Sequence, residues 1–146
     1  TRVVERMSNE MACIGVPQDF ATSNKANRQL FTLADQTDAS DATVRAQIKR
    51  LHGLLLGETV NDGDAELEAT VALFNDTLTQ GQSLIASGDA TANLSTDCHA
   101  VHTYDAAQTP YPTAGKVAVT ADPQYIIRAW TTVVSYLLSD PRFFTE

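Results

Sequence analysis

The chain is poor in the features that assign function most directly. No apolar run approaches the roughly 20 residues that a membrane-spanning helix requires. The longest, Ile126–Leu138, is interrupted by Arg128, Thr131, Thr132, Ser135 and Tyr136. Positive charge is scarce: ten Lys and Arg stand against eighteen Asp and Glu, a formal charge of −8. A field of that sign repels phosphate backbones and argues against nucleic acid as a partner. The one close group of bases, Arg45, Lys49 and Arg50, reads as a solvated helix face. There is no P-loop, no G-x-G-x-x-G and no G-x-S-x-G. Covalent haem attachment needs C-x-x-C-H; Cys98-His99 supplies only its end, because Ser95 stands where the first Cys belongs. The first residues carry charge throughout and form no secretory h-region. The chain does not begin with Met, so it reads as a processed form or a fragment, and a targeting signal is neither implied nor excluded.

What is present fits one helical domain. The 146 residues are 43% hydrophobic, enough to bury a core. Val3, Val4, Met7 and Met11 form one apolar stripe of a first helix over 1–14, which Gly15 and Pro17 are expected to stop. A weaker helix is predicted over about 23–35, with Ser23 or Asn24 as cap and Ala26, Leu30, Leu33 and Ala34 inward. A third starts at Ser40 or Asp41 and places Val44, Ile48, Leu51 and Leu55 on one side, with Gly57 as its C-terminal cap. Gly53 inside it suggests the close approach of another helix. Asp62 or Asp64 opens a fourth helix, whose stripe is Leu67, Val71, Phe74, Leu78, Gln82 and Ile85. The last, about 123–139, is expected to begin with Asp122 as cap and Pro123 at its first position. Its apolar face, Ile126, Trp130, Val133 and Leu137 flanked by Ile127, Val134 and Leu138, is wide enough to belong at the centre of a bundle. Phe143 and Phe144 are expected to fold back as a plug. The fold class is therefore all-α: a bundle of about five helices with one long, mostly irregular loop, about 88–121, before the last helix. Residues 1–146 form a single domain, whole or one module of a larger protein.

That loop holds the densest chemistry, STDCHAVHTYD at 95–105. Loops of this length in small domains are normally functional or disordered. A Cys13–Cys98 disulfide would pin it to the first helix and implies an oxidising compartment, periplasmic or secreted. The alternative is zinc on Cys98, His99, His102 and Asp105, with His52 joining from the third helix. Against it, adjacent Cys-His side chains diverge and no second spaced pair of ligands exists. A Cys98 nucleophile with a neighbouring His as base lacks support, because Asp97 and Asp105 would raise the thiol pKa. NDGDAELE, 61–68, has some EF-hand ligands, but Leu67 occupies the position that needs Gly, and helix capping explains the same acids. Asn75 and Asn93 each begin an N-x-[ST] triplet. The segment TPYPTAG, 109–115, is extended in character; with His102, Tyr104 and Tyr111 it either lines a shallow recognition patch or, as the general tendency of aromatics to bury favours, packs the loop onto the bundle. The ending YLLSDPRF, 136–143, is similar to short stretches of extracytoplasmic bacterial proteins of unknown function that accompany cytochromes; it implies no fold, activity or site residue here.

The functional expectation is a non-enzymatic extracytoplasmic helical domain, an interaction or accessory module that meets a protein partner or the rest of a larger chain through the 88–121 loop, without cofactor. The alternative is a metal- or cofactor-binding domain, zinc in the first instance, with its site at Cys98, His99 and His102.

Overall fold

A computed structural model describes residues 2–101 and 115–144, the last of them by backbone alone. Five α-helices are present among them: α1 Arg2–Phe20, α2 Asp41–Leu56, α3 Ala65–Ser87, α4 Ile126–Leu138 and the short α5 Pro141–Phe144. There is no strand, only isolated bridges, among the described residues. The all-α bundle with an irregular excursion before its last long helix is what the periodicity predicts.

Helix α4 occupies the centre. Ile126, Ile127, Ala129, Trp130, Val133, Val134, Leu137 and Leu138 are all buried, and α4 packs on α1, α2, α3 and α5. Trp130 stands between Phe74 of α3, 4.4 Å away between centroids, and Phe31, at 5.4 Å. Phe31 in turn stacks on Phe20 at 4.5 Å. Phe143 is partly buried against the same core. The plug expected of Phe143 is present; the Phe144 side chain lies outside the described residues.

Three expectations about helix bounds fail, each for a tertiary reason. First, α1 does not stop at Gly15 but continues through Pro17 to Phe20. A proline inside a helix costs about 3 kcal/mol. Val16 and Phe20 are fully buried, and the Asp19 carboxylate accepts hydrogen bonds from the backbone N–H groups of Gln29, Leu30 and Phe31. The last turn is held by these contacts, not by propensity.

Second, 23–35 is not a helix. Only Lys25–Asn27 makes a 3₁₀ turn, capped by Asn24. Its backbone groups are bonded by side chains from elsewhere. Besides Asp19, the buried Gln47 amide accepts from Leu33 and Ala34 N–H and donates to the Leu30 carbonyl. Arg28, also buried, donates to the Thr22 and Ala34 carbonyls. Backbone groups satisfied in this way need no helical partner.

Third, α4 begins at Ile126, after Pro123. Asp122 still serves its N-terminus, from farther away. Its buried carboxylate accepts from Ile127 and Arg128 N–H, both at 3.0 Å, and pairs with the Arg128 guanidinium. The N-cap position itself is Tyr125, in the left-handed region at φ 63°. Such a conformation costs a non-glycine residue about 1–2 kcal/mol. The Tyr125 ring lies under the Arg128 guanidinium, 4.1 Å from centroid to Cζ, and against Gly81 of α3, where a Cβ would fall within the ring's own envelope. The close approach expected at Gly53 therefore occurs at Gly81; around Gly53 the nearest atom to an added Cβ is the Glu58 carbonyl oxygen at 3.9 Å.

The described arms of the 88–121 loop pair with each other and with the end of α1. Ala100 and Val119 exchange both backbone hydrogen bonds, Leu94 N–H donates to Thr120, and Val117 N–H donates to Ala21. Leu94, Ala100 and Val119 are buried. The alternating segment KVAVT, 116–120, strand-like in sequence, thus contributes bridges, not a strand.

The two glycines make a matched test. Gly53→Ala should raise stability by up to about 1 kcal/mol, the helix-propensity gain alone. Gly81→Ala has the same propensity gain but must displace the Tyr125 ring, and should lower stability by about 1–3 kcal/mol. Urea denaturation followed by Trp130 fluorescence measures both, and a gain at Gly81 would refute the packing account.

Candidate functional site

The disulfide expectation and the site expectation separate in space. Cys13 and Cys98 lie within disulfide-bonding distance, with Cα atoms 4.7 Å apart. Cys98 ends the 3₁₀ turn Thr96–Cys98, and the bond ties that turn to α1. With its sulfur committed, Cys98 has no thiolate for a metal or for nucleophilic attack. His99 follows it, half-buried. His102, Tyr104, Asp105 and Tyr111, expected as ligands or recognition residues, lie outside the described residues.

His52 belongs to a different cluster. It is buried near the end of α2, and Gly57, left-handed at φ 66°, turns the chain so that Glu58 comes back beside it. The first two turns of α3 then present Glu66 and Thr70. His52 Nδ1 lies 2.7 Å from Glu58 Oε1, and Nε2 lies 3.0 Å from Thr70 Oγ1. The Thr70 hydroxyl donates its single proton to the Glu66 carbonyl at 2.9 Å. Glu58 is held ionised and can only accept, so Nδ1 carries the proton that bonds it. Arg142 of α5 completes the group, with Nη1 2.7 Å from Glu58 Oε2 and Nη2 3.9 Å from Glu66. Asp140 holds the same guanidinium through both carboxylate oxygens.

This cluster borders a cleft of about 340 Å³ lined by His52, Leu56, Glu66, Tyr136, Asp140 and Arg142, among others. Its two glutamates are unlike. Burial disfavours the charged form of Glu58, but hydrogen bonds from His52, Glu66 and Arg142 outweigh it and hold the group below the usual carboxylate range. Glu66 moves the other way, raised by its hydrogen bond to Glu58 and by that group's charge. Two carboxylates in contact cannot both ionise freely, so Glu66 retains a proton more readily.

Carboxylate, imidazole and hydroxyl in a row have the order of a nucleophilic triad. The hydroxyl is inaccessible, however: Thr70 is fully buried, and its proton is spent on a helix carbonyl. The group does not offer a nucleophile to solvent. Sequence reasoning named His52 as a possible zinc ligand and placed Glu66 only among the calcium-type acids of 61–68; it named neither Glu58 nor Thr70. The available signal was the short turn at 57–64, which forces the end of α2 against the start of α3.

The acidic run 61–68 is neutralised from α2. Arg45 makes a bidentate pair with Glu68 at 2.7 and 2.9 Å, and both Arg45 and Lys49 reach Asp62. Asp64, at the N-cap of α3, accepts from Asn61 N–H. These bonds account for Asp62, Asp64 and Glu68; Glu66 belongs to the His52 cluster.

Comparison of the chain with protein-family models, curated proteins and solved structures finds no match. The reading of function rests on the chain's own geometry.

Two measurements check this geometry. The Arg45 hydrogen bonds, with one from Gly63 N–H, lower Glu68 from 4.5 to about 2. Its folded value lies below its unfolded one, so its stabilisation is complete above the ordinary Glu range and lost as pH falls toward about 2. Arg45→Gln should therefore be less stable than the parent at neutral pH, and the difference should shrink through that acid window. Reducing Cys13–Cys98, 85 residues apart, should cost up to about 4–5 kcal/mol on the chain-entropy model. Denaturation with and without reductant gives the figure.

Proposed function

We propose that the chain is a non-enzymatic extracytoplasmic helical domain that acts as an interaction module through the outer face of α1. One observation carries the reading: Val3, Met7, Met11 and Ile14 are 68, 46, 44 and 60% exposed. Steps of four, four and three residues align them in a single stripe. The buried side of α1 is a different one, made of Ser8, Ala12, Val16 and Phe20. An apolar stripe at this spacing is the seam that one helix offers another, and methionine adapts to irregular partners. The apolar residues identified at the start of the sequence thus supply the surface, not the core.

The occupant of that face is a second copy of the chain. Arg2 and Arg6 offset Glu5 and Glu10, so the part of α1 that carries the stripe, residues 2–14, is locally neutral in a chain of charge −8. Two copies can bring α1 together without opposing their excess negative charge, in an isologous pair. The extracytoplasmic part of the reading is supported by the Cys13–Cys98 geometry, since disulfides persist in oxidising compartments. The non-enzymatic part is supported by the burial of Thr70 behind His52.

Sedimentation velocity over a range of concentrations tests the surface. A reversible dimer is expected, and Met11→Glu should leave a folded monomer. A chain that stays monomeric, or a dimer indifferent to Met7→Glu and Met11→Glu, would overturn the assignment. Thiol titration of the native protein should find no free thiol; two free thiols would overturn the compartment.

A further inference from the structure

The His52 cluster has a property that its internal hydrogen bonds do not exhaust. His52, Glu58 and Glu66 each present a ligand atom, all within 4.8 Å of one another. We infer that these three residues form a binding site for a divalent transition-metal ion of the zinc type, in which the metal exchanges with the Arg142 guanidinium.

The ligand set is one imidazole and two carboxylates, which suits zinc and its neighbours better than magnesium or calcium. The imidazole is already oriented. Nε2 lies 3.0 Å from Thr70 Oγ1, which is itself bonded to the Glu66 carbonyl. This is the outer-shell contact that metal-binding histidines make, and it turns Nδ1 toward the two glutamates. Nδ1 and Glu58 Oε1 are joined by one proton at 2.7 Å, which a metal ion bound to both atoms would displace. Ligand atoms around tetrahedral zinc sit about 3.3 Å apart. The contraction falls to Glu66, whose side chain is 56% exposed and can rotate.

Without metal, the positive charge comes from Arg142. That residue can leave at little cost. Its side chain is 49% exposed, and Asp140 binds it through Nε and Nη2 independently of either glutamate. Asp140 and Arg142 line the cleft from which an ion would approach. The exchange is charge for charge: a dication takes the place of the guanidinium and of the proton shared at Nδ1. This site differs from the one expected at 95–105, from which it takes only His52.

Zinc titration of the intact disulfide-bonded chain by calorimetry tests the inference, with heat denaturation alongside. One ion per chain and a raised Tm are expected. Glu66→Gln should weaken binding about tenfold or more, and Arg142→Gln should tighten it, because the competing cation is gone. His99→Asn should leave it unchanged. Opposite effects of the two cleft variants are the signature. If Glu66→Gln fails to fold, the sign of the Arg142→Gln effect still decides. No binding by the parent and Arg142→Gln chains, binding that Arg142→Gln weakens, or binding that depends on His99, would overturn the site.

Discussion

The apolar face of helix α4 covers about half of its circumference, and a face that wide is stable only when neighbours close on it from several sides. This constraint organises the domain. On α1 the buried side contains Ser8 and Ala12, small enough to let α4 approach. On α3, Gly81 leaves room for Tyr125 just before α4 begins. A third side is closed not by a helix but by the irregular segment after α1, which delivers Phe31 onto Trp130. Each of these features looks like a weakness when read in its own helix. A proline in α1, a glycine in α3 and an absent helix at 23–35 all make sense once α4 must be enclosed.

The irregular parts hold together by one recurring device. A buried or nearly buried side chain takes over the role of a backbone partner. Asp19 collects three N–H groups, Gln47 collects two and returns one, and Asp122 reaches past Tyr125 to the first turn of α4. Such acceptors lie far in sequence from what they bind, so the segments they hold have no local signature. They also leave few options: removing one strands several backbone groups at once in a dry environment, where each unmet bond costs about 1–3 kcal/mol.

Legibility from sequence followed the same division. The spans of α2 and α3 were readable because their apolar spacing and their left-handed caps, Gly57 and Gly88, are local. The core of α4 was readable for the same reason, and the cysteine pairing because only one pair exists. The end of α1 and the 23–35 segment were not, since distant side chains decide them. Val3, Met7 and Met11 showed a stripe, but periodicity cannot tell which of two sides a helix buries. Among candidate ligands, His52 stood out by residue type, whereas Glu58 and Glu66 resembled ordinary turn and cap acids. Only the reversal of the chain at Gly57 makes them its neighbours.

The Cys13–Cys98 bond closes a covalent ring that contains the end of α1, all of α2 and all of α3, but not α4. The molecule thus has a tethered shell and an untethered centre. Under tension along the chain, the residues within the ring cannot extend while the bond is intact. The load falls instead on the junction where α4 is held by packing and by Asp122. Redox state would then set not only how stable the domain is but how much length it can release when pulled.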